Sequence, residues 1–133
     1  MSRALPLLLQ VLRDPGTMAS LGLAQWERLL RQAERSDMGA VLPFLADEHG
    51  LATALPAPVR EQLDWLRVRA RRHRQAVEWE VRQLAPVLAQ LGLPLVLLKG
   101  AAYALAGLPP APGRLFSDID ILVPFDRMGQ VEA

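Results

Sequence analysis

An α+β chain is expected, with a helical N-terminal region over residues 1–91 and, from residue 92 to 133, the start of an α/β core with about two strands. Three observations predict it. Val59, Leu63, Leu66, Ala70, His73, Val77, Val81, Leu84 and Leu88 recur by threes and fours, the buried stripe of one long helix from about 58 to 90. After Gly92 the period changes, and Leu93 to Leu98 is an apolar run of strand length. Phe116 to Val123 then reads as a second strand, ended by Pro124.

The shorter elements follow from similar signals. Pro6 to Arg13 forms a first helix, with Pro6 tolerated in the first turn and Asp14-Pro15-Gly16 stopping it. Leu23 to Glu34 is a second, because Trp26, Leu29, Leu30 and Ala33 share a face that Arg28, Arg31 and Gln32 do not. Asp37 is expected to cap a third helix carrying Val41, Leu42 and Leu45, and Leu51 to Pro58 reads as a linker into the long helix. Pro86 is expected to bend that helix near its end. Leu93 to Leu98, apolar throughout, suggests a strand buried on both faces. Ala101 to Ala106 is a short helix, and Gly107 to Gly113, with Pro109, Pro110 and Pro112, is a loop.

Bulk composition narrows the function classes. The chain has 133 residues, 51% hydrophobic and 22% charged, which suits one folded domain with a modest core. A net charge of +1 argues for neither a nucleic-acid-coating nor a membrane-surface protein. With no cysteine there is neither a disulfide nor a thiolate metal site, and with neither a bilayer-length apolar run nor a secretory leader the expected location is cytoplasmic. Fourteen of the basic residues are Arg and one is Lys, and that single lysine is Lys99.

Lys99 stands where the chain's chemistry concentrates. The apolar run ends in Lys99-Gly100-Ala101 and opens a helix, whose free N–H groups and positive end suit a phosphate. Downstream, Asp118 and Asp120 are two residues apart in a predicted strand. Residues so spaced point to one face, while Ile119 and Ile121 enter the core. Two neighbouring carboxylates suit a divalent cation with hard oxygen ligands, and a phosphate site beside such a pair is the apparatus of nucleotide chemistry.

The stretch LLKGAAYALAGLPPAPGRLFSDIDILV, Leu97 to Val123, resembles the nucleotidyltransferases of the DNA polymerase beta superfamily, most closely a bacterial branch of uncharacterised nucleotidyltransferase-like proteins. The resemblance is sharp over Leu95 to Val123 and looser over the preceding helices. It implies a partial nucleotidyltransferase core in which Gly100 and Ala101 form the phosphate-holding turn and Asp118 and Asp120 the metal-binding pair. It further implies that Lys99 and Arg114 contact phosphate or position the aspartates. The implied reaction transfers a nucleoside monophosphate from a nucleoside triphosphate to an unknown acceptor hydroxyl, with two Mg²⁺ ions clamping the attacking and leaving oxygens. Ala101 stands where a serine is common, which removes a hydroxyl and leaves main-chain donors. Family members also take a third carboxylate from a later strand. Only Asp126 and Glu132 follow Asp120, both on an expected helix, so the chain is expected to be the N-terminal portion of a longer protein or to meet a partner that covers an open sheet edge.

Two other classes remain beside this one. A non-catalytic helical interaction module with a vestigial nucleotide site would explain the missing acid. An RNA-binding helix is suggested by Arg67, Arg69, Arg71, Arg72 and Arg74, but Asp64, Glu78 and Glu80 stand at pairing distance along the same helix, and a solvated face is the favoured account. His73 is expected as a hydrogen-bonded core histidine, and Trp26, Trp65 and Trp79 as core anchors.

Overall fold

The chain divides into two packing units in the computed structural model, which describes residues 4–108 and 111–133. One unit comprises Met1–Ala70 with Pro112–Leu115, the other Arg71–Ala111 with Phe116–Ala133. The α+β class is as expected: helices dominate, with one small antiparallel sheet.

In the first unit, α1 (Leu7–Arg13), a 3₁₀ turn (Pro15–Ser20), α2 (Leu23–Arg35), α3 (Val41–Glu48), a second 3₁₀ turn (Ala52–Ala54) and the first part of α4 (Ala57–Gln90) follow in order. Each helix carries one apolar stripe and must bury it against the others. Leu8 and Val11 of α1, Trp26, Leu29 and Ala33 of α2, Leu42 and Ala46 of α3, and Val59 and Leu63 of α4 meet in one core with Met18 and Leu55. A fully buried leucine of this kind stabilises by roughly 1.5–3 kcal/mol. The helix starts are satisfied by glutamines: Leu8 donates its N–H to Gln32 Oε1 at 2.9 Å, and Gly22 donates to Gln25 Oε1 at 2.9 Å. Pro43, buried in the first turn of α3, displaces no helical hydrogen bond there.

Asp37 does not cap α3. Its φ is +53°, and it ends α2 instead: Met38 donates to the carbonyl of Ala33 at 2.8 Å and Asp37 donates to that of Glu34 at 3.1 Å, the paired closure of a helix C-terminus around a left-handed residue. An aspartate tolerates that conformation better than most side chains, and Ala40 is left at the N-cap of α3. On α4, Arg69, Arg71, Arg72 and Arg74 are exposed, as expected of a solvated face, and Arg67 and Arg74 form ion pairs with carboxylates. Arg67 donates through Nε to Asp47 Oδ2 at 3.0 Å and through Nη1 to Asp64 Oδ1 at 2.6 Å, and these partners, Asp47 above all, raise its pKa above the ordinary arginine value. Whatever stability that shift adds is present while Arg67 is charged and Asp47 and Asp64 are ionised, and it is lost as the pH falls through the carboxylate range. With Asp47 and Asp64 half or more exposed, it is about 0.5–1 kcal/mol.

Pro112–Leu115 packs into this same unit. Gly113, at φ +75°, approaches α3 so closely that a Cβ would lie 2.6 Å from Val41 Cα and 2.6 Å from its N. Only glycine fits both the conformation and the space. Pro109 and Pro110 of the expected loop lie outside the described residues.

The second unit holds the rest of α4, which continues through Pro86, then β1 (Val96–Leu98), α5 (Lys99–Ala106), β2 (Asp120–Leu122), a 3₁₀ turn (Phe125–Arg127) and α6 (Met128–Glu132). α4 ends at Gly92, φ +70°, as Leu93 donates back to the carbonyl of Leu88 at 2.9 Å and buries itself there. Val77, Leu88, Leu93 and Ala101 are its buried apolar residues. Among the described residues no helix is long and apolar enough to cross a membrane.

Both strands are shorter than expected, for identifiable reasons. Pro94 has no N–H to give to a ladder, so β1 begins at Val96. At its other end β1 turns into α5 at Lys99, so β2 has nothing to pair with before Asp120 and the segment from Phe116 to Ile119 stays outside the strand. Nor is β1 buried on both faces. Val96, Leu98 and Leu122 share one face and are 39%, 37% and 57% exposed, because a two-stranded sheet can cover only one side with its own helix. Trp26 is an anchor of the first unit at 1% exposure, but Trp65 and Trp79 lie on the solvent side of α4 at 65% and 62%. Their helical phase places them off the stripe that runs from Val59 to Leu88.

Candidate functional site

The sheet register brings the two halves of the motif together. β1 and β2 pair antiparallel with Val96 opposite Leu122, Leu97 opposite Ile121 and Leu98 opposite Asp120. Lys99 is the next residue after Leu98, and its Nζ lies 3.4 Å from Asp120 Oδ2. Both side chains are largely open to solvent, at 69% and 42% of their surface. An ion pair so exposed adds at most about 1 kcal/mol to stability, so its interest is chemical: a cation and a carboxylate are presented side by side.

Lys99 reaches this position through an uncommon backbone. Its φ is +54°, left-handed, at the corner where β1 becomes α5. For a side chain with a Cβ this conformation costs about 1–2 kcal/mol. α5 then starts two residues earlier than its apolar pattern suggested, and its N-cap, Leu98, has no side-chain acceptor for the first amides.

Gly100 is buried, and the structure supplies a packing reason for a glycine there. A Cβ on Gly100 would stand 2.6, 2.8 and 3.1 Å from Cδ1, Cγ and Cε1 of Phe116. Ala101 is also buried, at 1% exposure. At this corner the Lys99 ammonium is therefore the group most open to a ligand.

Phe116 is itself held. His73 Nε2, on α4, lies 2.7 Å from the carbonyl oxygen of Phe116 and 3.1 Å from its nitrogen, within reach either to donate to the first or to accept from the second. The two rings also meet edge to face, with centroids 4.5 Å apart and planes at 88°. His73 is hydrogen-bonded as expected from its place in the stripe, but half-buried rather than in the core. Its partner was not foreseeable, since 43 residues separate the two. Phe116 carries no sequence signal of its own beyond standing two residues before Asp118.

Asp118 is exposed and lies two residues before β2, so the strand alternation that would align it with Asp120 does not extend to it. Arg114 is exposed on the Pro112–Leu115 segment of the first unit. Among the described residues no group of three or more His, Cys, Asp or Glu side chains is placed to hold a metal ion. The donors that Asp118 and Asp120 do offer are hard, solvent-open oxygens, which fit a magnesium ion that keeps several waters and accepts phosphate oxygens in their place.

No curated protein and no solved structure matches the chain. The family model of the uncharacterised nucleotidyltransferases matches residues 23–133, covering the helices from α2 onward together with the Lys99 corner and the aspartate strand. With that match over most of its length, the chain belongs to the uncharacterised nucleotidyltransferase family.

Proposed function

We propose that this chain binds a nucleoside triphosphate with Mg²⁺ at the Lys99–Asp120 corner and serves in transfer of the nucleoside monophosphate to an acceptor hydroxyl. The observation that carries the reading is the pairing of Leu98 with Asp120, which sets the lysine ammonium 3.4 Å from one of the two aspartates. Asp118 and Asp120 would hold the metal, which when bound neutralises phosphate charge and supports the attacking and leaving oxygens. Lys99 then has two roles. It keeps Asp120 balanced before a ligand arrives, and it offers its ammonium to a polyphosphate afterwards. A left-handed non-glycine residue is maintained only where its neighbours over-determine it, and such residues cluster at functional sites. Gly100 and Ala101 supply the corner and, through main-chain donors at the start of α5, its positive helix end. In the reaction the acceptor oxygen forms a bond to the α-phosphorus, the bond from that phosphorus to the pyrophosphate oxygen breaks, and the acceptor proton passes to a base.

A melting experiment tests this reading. At a ligand concentration 100 times Kd, Mg²⁺ with the correct triphosphate should add about 2.7 kcal/mol to stability and raise the melting temperature, and Asp118→Asn should abolish the rise. No rise with any of ATP, GTP, CTP or UTP would refute it.

A second reading, a non-catalytic interaction module, is favoured by the open apolar face of Val96, Leu98 and Leu122 beside the corner. Binding without turnover would support this one.

A further inference from the structure

We infer that His73 is a positioning residue for the proposed metal–nucleotide site, holding the aspartate segment against the Lys99 corner through Phe116. The inference rests on the reading given above. The segment from Phe116 to Ile119 lies outside the sheet ladder, so neither Asp118 nor the approach to Asp120 is fixed by strand hydrogen bonds. Something else must hold a carboxylate still if it is to serve as a metal ligand, because a ligand displaced by an ångström loses much of its worth.

His73 and Gly100 provide that hold from two sides. The His73 ring nitrogen stands at hydrogen-bond distance from both main-chain polar atoms of Phe116, 2.7 Å from the oxygen and 3.1 Å from the nitrogen. One ring nitrogen either donates or accepts at a given moment, so either tautomer of the neutral ring finds a partner on the same residue. The Phe116 ring, set edge to face against the imidazole, closes over the Cα of Gly100 at a distance only a glycine permits. Gly100 is joined directly to Lys99, and Phe116 is two residues from Asp118. His73, on the long helix, is thus the fixed point to which both halves of the motif are tied. The residue touches neither carboxylate and has no place in the chemistry itself.

The test uses the full chain and three variants, His73→Leu, His73→Gln and Phe116→Leu. Its readouts are the dissociation constant of Mg²⁺ with each common nucleoside triphosphate, and amide exchange over residues 116–122 without ligand. His73→Leu should weaken nucleotide binding about fivefold, the worth of one hydrogen bond of about 1 kcal/mol, and should speed exchange over 116–122. His73→Gln, which retains a donor and an acceptor, should recover most of the binding. That recovery is a response that loss of packing alone would not give. If His73→Leu does not fold, Phe116→Leu, which keeps the main-chain bond and loosens the ring contact, should weaken binding by a smaller factor. Unchanged binding in both His73 variants while the unaltered chain binds would overturn the inference and leave the proposed function standing. Tighter binding in His73→Leu or Phe116→Leu would overturn it too, by making Phe116 a plug. No binding by the unaltered chain would overturn both.

Discussion

Replacing Gly100 with alanine separates a packing glycine from a merely flexible one, because the two predict opposite signs. Gly100 lies in the first turn of α5 with no left-handed torsion, so on helix propensity alone Gly100→Ala would stabilise by about 0.5–1 kcal/mol. The new Cβ, however, would sit 2.6–3.1 Å from three carbons of the Phe116 ring, where contact begins near 3.4 Å. The ring cannot simply swing aside, since its edge-to-face contact and the main-chain bonds tie it to His73. Overpacking of this kind costs about 1–3 kcal/mol. The net expectation is a destabilisation of about 1–2 kcal/mol, or a fall of roughly 3–8 °C in melting temperature for a chain of this size. Urea and thermal unfolding of Gly100→Ala, Phe116→Ala and the double variant measure it. With the ring removed, Gly100→Ala should become neutral or stabilising, which makes the pair's coupling about 1–3 kcal/mol. An alanine that stabilises the unaltered background, or acts equally in both, would show that Phe116 does not rest on Gly100.

Two further substitutions probe backbone constraints. Lys99→Gly relieves a left-handed torsion and should raise the stability of the ligand-free chain by up to about 1 kcal/mol in urea unfolding, while lowering its response to Mg²⁺ and nucleoside triphosphate. A variant less stable than the parent would mean that the torsion carries no strain. Gly113→Ala meets backbone atoms of Val41 and Ala40 within 2.6–2.8 Å at a φ of +75°, and backbone cannot yield as a side chain can. A loss of more than about 2 kcal/mol is expected, and an effect below 0.5 kcal/mol would count against the close docking of this segment on α3.

The helices were largely legible from residue spacing, and the aspartate–lysine constellation from residue type. The long helix runs from Ala57 to Gln90 against an expected start at Pro58, and α2 ends one residue beyond the expected Glu34. A helix is held by bonds between residues four apart, so its stripe and its ends are local information. Even the shortened β1 has a local sign in Pro94, which lacks an N–H to give to a ladder. Spacing and residue type alone therefore carry the helical frame, the α+β class and the kinship marked by Lys99, Gly100, Asp118 and Asp120. Packing between distant segments set the rest: β2 starts at Asp120, Asp37 closes one helix rather than opening the next, and Trp65 and Trp79 face solvent. It alone decided that Gly100 lies under Phe116 and that His73 holds that ring from 43 residues away. Each of these depends on which distant segment arrives as a neighbour, and a ladder, a ring contact or a burial has no meaning until that neighbour is in place.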